Sequence, residues 1–343
     1  MDHPVLLVSP EGQGEGGIGD FASKLSSALV GLGLPSRTSV GLPANRGDSP
    51  PSICVVNYQP YMYGWQGLSP ELVYWALRGR GSREAMRALI VHEPFSFGTT
   101  TATRVRERLQ RRQLACVANS VDVRIVTCER WAKDLEALLE DPVHVLPVGS
   151  NIDVSSTPPE IARARWRGEL GIGMTDLVTL EFGRSHVSKA HGATTRALTA
   201  LAAADTSSLH HIVIGASQDQ RVRAPASVVV HTLGWLREAQ VSELFFAADL
   251  LLAPFTDGVS ARRTSVISAY SHDLAVATNA EAPTDQWLRD LSCTGLQTLP
   301  AYAAALADPL RRRRLAQKQR VVFENDLAWP QLARRFHAMI GGE

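Results

Sequence analysis

The chain of 343 residues has little of what would commit it to several familiar chemistries. Its four cysteines, Cys54, Cys116, Cys128 and Cys293, lie far apart, with no C-x-x-C pair and no histidines at metal-ligand spacing. A disulfide scaffold and a zinc-ribbon domain are therefore excluded, no metal site is expected, and a reduced cytoplasmic protein with buried thiols is the simplest reading. It also lacks an excess of either charge: 35 Lys and Arg against 34 Asp and Glu leave a net charge of +1. That balance gives no electrostatic case for nucleic acid as a partner, so any cationic site must be local. Long apolar runs are missing too. LFFAADLLLAPF is about half a membrane span and is interrupted by Asp249. The opening MDHPVLLVSP is too short and too acidic for a signal sequence, so neither secretion nor a transmembrane helix is expected. Finally, no G-x-S-x-G, H-E-x-x-H or P-loop lysine motif is present.

What is present is an ordinary globular balance, 45% hydrophobic and 20% charged residues, at a length that calls for two domains. Short Val/Ile/Leu runs alternate with helical patterns. In the first half they are VLLV (5–8), ICVV (53–56), ALIV (88–91), RIVT (124–127) and HVLP (144–147). Between them, segments 20–33, 69–79 and 129–140 carry apolar residues at helical spacing, with Ser69 and Pro70 as N-cap and first helical residue. Continuous rather than alternating apolar strands fit a parallel sheet covered on both faces.

The series restarts after the Ser/Thr/Pro-rich 151–160 and a helix at 160–170. Its strands are LVTLEF (177–182), HHIVIG (210–215), SVVV (227–230), DLLLAP (249–254) and LAVAT (274–278). The expectation is an α/β chain of two Rossmann-like domains facing each other across a cleft, with ligands at the carboxyl ends of the strands. The domains are drawn at 1–153 and 154–325, and a last helix, 326–343, crosses back to the first domain. The basic runs 104–113 and 311–314 fall in helices and read first as solvated faces. Peripheral contact with an anionic membrane stays open.

After the first strand, SPEGQGEGGIGDFA contains G-x-G-x-x-G twice. Glycines let a backbone approach a pyrophosphate at a helix N-terminus, or simply make a mobile loop. A dinucleotide reading needs a carboxylate about 20 residues on. The sequence there has Arg37 and Arg46 instead, so an NADP-dependent oxidoreductase is only an alternative. In the second half, LVTLEF runs into GRSHVSKAHG. Gly183, Arg184 and Lys189 are thus placed at a strand end and helix start, where a planar guanidinium fork and a mobile ammonium can neutralise a diphosphate.

Across nearly its whole length the chain resembles the retaining glycosyltransferases of the GT-B fold, specifically family 4 of the nucleotide-sugar-dependent hexosyltransferases. Four blocks carry the likeness in order: GGIGDFASKLSSALVGLG (16–33), VHEP (91–94), FGRSHVSK (182–189) and ADLLLAPFTDGVSARRTSVISAYSHDLAVAT (248–278). LPVGSNI (146–152) is similar to the family's interdomain loop, and GWLREAQVSELFFAAD (234–249) to its nucleobase loop, here Gly234 and Trp235.

The resemblance implies that Gly16 and Gly17 lie under the donor diphosphate, that Arg184 and Lys189 grip it, and that His92 stands near the reacting sugar. The family signature of Glu, seven residues, Glu is here Asp257 and Ser265: the first carboxylate, which the resemblance places by the donor sugar as a catalytic group, is kept in shortened form as Asp257, and the second, which holds the ribose, has become a hydroxyl. Arg262, Arg263, Thr264 and Ser265 begin the following helix, whose N–H groups and dipole favour an anion. Two readings stand for the arginines. They face an anion, or one of them pairs with Asp257 or Asp273. Glu93 and Arg262 are candidates for an anion or acceptor contact.

The implied activity is transfer of a hexose with retention from a UDP- or GDP-sugar to a small-molecule, glycan or lipid-linked acceptor, with no cofactor and no metal. A GT-B-like protein that binds a nucleotide or anion without transferring sugar is the alternative.

Overall fold

The computed structural model describes residues 4–341 except Glu15, 43–51, 79–85, Phe97, Glu140, Ser185, 205–207 and 216–222. Its contacts divide the chain into two compact units: Met1–Asn151 with Trp329–Glu343, and Ile152–Ala328.

The first unit runs β1 (Val5–Ser9), α1 (Gly17–Gly31), β2 (Ser36–Val40), β3 (Ile53–Tyr58), α2 (Pro70–Arg78), β4 (Met86–Val91), α3 (Thr101–Ala118), β5 (Val123–Val126), α4 (Glu129–Leu139) and β6 (His144–Val145). The strands form one sheet in the order β2-β1-β3-β4-β5-β6, parallel throughout. β1 and β3 are buried along their whole length, which accounts for their unbroken apolar runs. β2 reads SRTSV and stands at the sheet edge, so no apolar run announces it. Right-handed crossovers in the two directions put α1 on one face and α2 to α4 on the other. Leu72 N donates to Ser69 Oγ at 3.2 Å, capping α2 one residue before its proline.

The second unit runs α5 (Pro159–Glu169), β7 (Leu177–Phe182), α6 (His191–Ala204), β8 (Leu209–Ile214), β9 (Val228–Leu233), α7 (Glu238–Ala247), β10 (Leu250–Leu252), α8 (Thr264–Ser271), β11 (Ala275–Ala277), β12 (Asn279–Ala280), α9 (Gln286–Arg289), β13 (Cys293–Thr294), α10 (Leu299–Ala305) and α11 (Pro309–Val322). Its main sheet is parallel in the order β11-β10-β7-β8-β9. Leu177, Leu250 and Leu252 from the strands share a buried core with Leu198 and Leu201 of α6 and Leu299 and Ala303 of α10. Asp249, which breaks the apolar run in the sequence, is an ion-pair partner: its two oxygens lie 2.7 Å from Arg163 and 2.7 Å from the fully buried Arg167. Three backbone carbonyls also accept from Arg167 Nη1, as a buried guanidinium requires.

The helix expected at 326–343 is interrupted. A π-helical turn, Phe323–Leu327, follows α11, Ala328 is extended at φ −65° and ψ 139°, and α12 (Trp329–Met339) starts afresh with Pro330 in its first turn. The unit boundary falls at this break. α12 packs on α1, with the Trp329 and Phe21 rings 5.6 Å apart and Trp329 Nε1 donating to Ser150 O at 2.8 Å. Among the described residues no helix is long and apolar enough to cross a membrane.

Candidate functional site

Each sheet has one point where strand order reverses, between β1 and β3 in the first unit and between β7 and β10 in the second. Loops leaving the carboxyl ends of those strands flank the crevice where α/β sheets take ligands.

In the second unit this point gathers the residues nominated for the diphosphate. Gly183 follows β7 in a left-handed conformation, φ +98°, that lets the chain turn back over the strand. Arg184 is exposed, and its guanidinium carbon lies 5.1 Å from the ring centre of Trp235, itself 76% exposed at the end of β9. Two residues 51 positions apart in the chain, from the nominated diphosphate and nucleobase loops, thus meet. Gly215 packs closely under this turn: a Cβ there would lie 3.3 Å from the Gly183 carbonyl carbon.

Lys189 is pinned between strands. Its N–H donates to His186 O, and it forms a bridge with Phe255 after β10. Its Nζ donates to the carbonyls of Gly183 (2.7 Å) and Phe182 (3.1 Å) and lies 3.5 Å from Glu181 Oε1. Burial lowers its pKa, and Glu181 works against that shift. Ser265, the second residue of α8, shares a cavity of about 10 Å³ with Glu181, Phe182, Lys189 and Thr194.

Of the two readings for the arginines, the ion pair is the one present. Arg263 Nη2 donates to Asp257 Oδ1 at 2.7 Å and Nη1 to Ser188 Oγ at 3.0 Å, with the guanidinium 4.2 Å from the Phe255 ring centre. Arg262 Nη2 lies 3.4 Å from Asp257 Oδ2. The partner is Asp257, whereas Asp273 lies 3.9 Å from Arg320. One carboxylate thus engages both guanidiniums. Thr264 opens α8, Arg263 is its N-cap residue, and its first turn holds no acidic side chain.

The Asp257 loop is held from below. Asn279 exchanges two hydrogen bonds of 2.9 Å with Phe255, and Ala261 N donates to Asp285 Oδ2 at 2.8 Å. Gly258 has φ +78°, and a Cβ there would meet Thr284 Oγ1 and Glu281 N.

The first unit's reversal point is built differently. Gly16 caps α1, and Gly17 is its first residue. Glu11, from the same loop, folds onto the helix start: Ile18 N and Gly19 N donate to its Oε1 at 3.0 and 3.2 Å. Gly14 N donates to Asp20 Oδ1 at 2.8 Å. The position a bound anion would take is thus filled by the chain's own carboxylate. A Cβ on Gly16 would collide with that carboxylate, and one on Gly19 with the Gly12 carbonyl, while Gly17 has open space. Arg37 is exposed on the edge strand β2, and Arg46 lies outside the described residues.

His92, at the end of β4, is half-buried against the edge of the Phe21 ring, 4.9 Å between centres. Its Nε2 lies 3.0 Å from Asn57 Oδ1. Asn57 Nδ2 already donates to Val8 O at 3.0 Å, so Oδ1 must accept, and His92 carries its proton on Nε2. Loss of water pushes its pKa down to about 3, so the ring is neutral at physiological pH. Glu93 Oε2 accepts from Gln59 Nε2 at 3.2 Å.

Sequence reasoning missed three positioning residues: Glu11, Asn57 and Glu181. Two left a signal, a lone carboxylate inside a glycine loop and another near the end of an apolar strand. Asn57 left none. A hollow of about 820 Å³, lined by Arg163, Asp176, Asp249, Asp308, Arg311 and Arg312, lies at the opposite end of β7 and touches none of the nominated residues.

The fold defines a class: α/β with parallel sheets in two Rossmann-like domains, the arrangement of GT-B glycosyltransferases. Solved structures of that kind are similar over nearly the whole chain. A sucrose-phosphate synthase from Thermosynechococcus elongatus matches with a TM-score of 0.68 at 14% identity, covering 98% of each chain. WaaG, a glycosyltransferase involved in lipopolysaccharide biosynthesis, matches at 0.64 and 15%, covering 98% of this chain and 100% of that one. A glycosyltransferase from Rickettsia africae matches at 0.65 and 9%, covering 100% of both. No protein-family model matches the sequence, and no curated protein matches it either.

Proposed function

We propose that this chain is a retaining glycosyltransferase of family 4 type, moving a hexose from a nucleoside diphosphate to a hydroxyl acceptor. One observation carries the reading: Arg184, leaving β7 at the reversal point of the second sheet, meets Trp235 from the loop after the edge strand β9, and Lys189 and the residue that caps α8 lie near the same end of β7. An exposed indole offers a face for a base, and the cations offer charge for a diphosphate.

In this reading the second unit binds the donor and the first receives the acceptor. The bond between the anomeric carbon and the diphosphate oxygen breaks while the acceptor oxygen bonds on the same face, and the acceptor proton goes to the departing phosphate. Arg184 and Lys189 stabilise the charge that develops on the leaving group, a role that calls for no metal. Neutral His92 can act only as a hydrogen-bonding group, not as a cation. UDP and GDP are the first donors to test. The free thiols agree with a reducing, cytoplasmic setting.

Thermal-shift screening against UDP, GDP, ADP and TDP tests the reading, followed by release of sugar from the matching nucleotide sugar. Stabilisation by none of the four would overturn it. A second reading, binding without transfer, is favoured by Asp257, because each of its oxygens is engaged by an arginine. Diphosphate binding with no transfer or hydrolysis from any nucleotide sugar would select it.

A further inference from the structure

Beside Lys189 the protein buries a carboxylate whose hydrogen bonding is incomplete. Glu181 stands at the next-to-last position of β7, and its side chain is 7% exposed. Oε1 has two nitrogen neighbours on one side: the Lys189 ammonium, Nζ at 3.5 Å, and, from the start of α6, His191 Nδ1 at 3.4 Å. Oε2 faces His211 Nε2, from β8, at 4.0 Å, and neither atom has a hydrogen-bond partner among the described residues.

The histidine's tautomer follows from its neighbours. Thr179 Oγ1 donates to His210 O at 3.1 Å, so it must accept from His211 Nδ1, 2.9 Å away. His211 Nε2 is therefore an unprotonated lone pair, and the fully buried, neutral ring points it at a carboxylate oxygen. Two acceptors opposed in a buried pocket are unfavourable unless a proton lies between them. The other charges nearby are Arg263, which acts on Lys189, and Asp257, which Arg263 holds.

We propose that Glu181 makes the anion subsite proton-coupled: when a diphosphate binds at Lys189, Glu181 takes one proton from solvent and shares it between its Oε2 and His211 Nε2. This rests on the donor-site reading above. An incoming diphosphate and the Glu181 carboxylate compete for one ammonium. Repulsion between the two anions favours protonating the carboxylate, for which the bare Nε2 is a ready acceptor after a contraction of about 1 Å. Glu181 is thus a positioning residue that holds Lys189 while the site is empty and gives up its charge when the site fills.

The test is calorimetric titration of the full chain with UDP, GDP, ADP and TDP at about pH 8, where the terminal phosphate is already ionised, in buffers of different ionisation enthalpy. The wild type takes up protons on binding. Glu181→Gln loses that uptake and binds more tightly, because the competing charge is gone. Binding to the wild type without proton uptake overturns the inference and leaves the donor reading intact, and this measurement needs no variant to fold. Uptake that persists in Glu181→Gln also overturns it. If none of the four diphosphates binds the wild type, the donor reading fails and this inference falls with it.

Discussion

The two sheet-reversal points use one topology with opposite charge. In the first unit a glycine loop leads into α1, and the chain supplies its own anion there: Glu11 accepts from Ile18 and Gly19, and Asp20 from Gly14. In the second unit the loops after β7 and β10 lead into α6 and α8, whose first turns hold no acidic side chain, and Arg184, Lys189, Arg262 and Arg263 collect around them. A helix N-terminus attracts negative charge in both cases. The difference teaches that a glycine-rich turn before a helix says where an anion can sit, while the side chains around it decide whether that anion is the protein's own or a ligand's.

Substitutions can break this comparison, and the largest effect belongs to the first loop. Gly19→Ala drives a methyl group into the Gly12 carbonyl, so it should lower unfolding stability by about 3 kcal/mol. Gly17→Ala, with open space around it, should cost nothing measurable in denaturant unfolding. Lost activity in a stable Gly17→Ala protein would show that the open space is for a ligand.

Next comes the second site. Lys189→Ala should weaken diphosphate binding about 100-fold, close to 2.7 kcal/mol. Calorimetry that found unchanged affinity would remove Lys189 from the donor site.

Acid separates the units more gently. His211 has its pKa pushed down to about 3 and His272 to about 4 by burial in the second unit, against His92 at about 3 in the first. Unfolded histidines titrate near 6.5, so between that pH and the depressed folded values the unfolded state binds more protons and stability falls as pH falls. The loss is about 1 kcal/mol per histidine over the pH unit below 6.5. With His231 also lowered by burial, three such groups against one among the described residues predict a steeper acid loss in the second unit, and His211→Gln should flatten the slope in pH-dependent melting.

Smallest is Glu11→Gln, which keeps an acceptor for Ile18 and Gly19 but removes the charge at the helix start. It should cost about 1 kcal/mol. If the first loop is only a self-capped turn, the variant should gain no affinity for inorganic phosphate, whereas a gain would make both reversal points anion sites.

Much of the fold was legible because buried parallel strands must be continuously apolar, which made VLLV, ICVV and LVTLEF visible as runs. β2 was not, since an edge strand facing water has no such requirement and SRTSV looks like a loop. The break at Ala328 did leave a signal, Pro330, which cannot sit in a helix interior but suits a first turn, and the packing of Trp329 against Phe21 holds the restart. For the site, the glycines and cations could be named from their places after strands. The Arg184–Trp235 contact could not, because it depends on how far the β7 and β9 loops lean toward each other.

By itself, the sequence determined the alternation of strands and helices, the two-series organisation and the loops that carry charge, because periodicity and glycine placement act locally. Only the tertiary structure decided which charges meet. Asp257 goes to Arg263 and Arg262, Glu11 to the start of α1, and Glu181 to Lys189 with His211 opposite, since each of these pairings is set by distances across folded elements that no local pattern encodes.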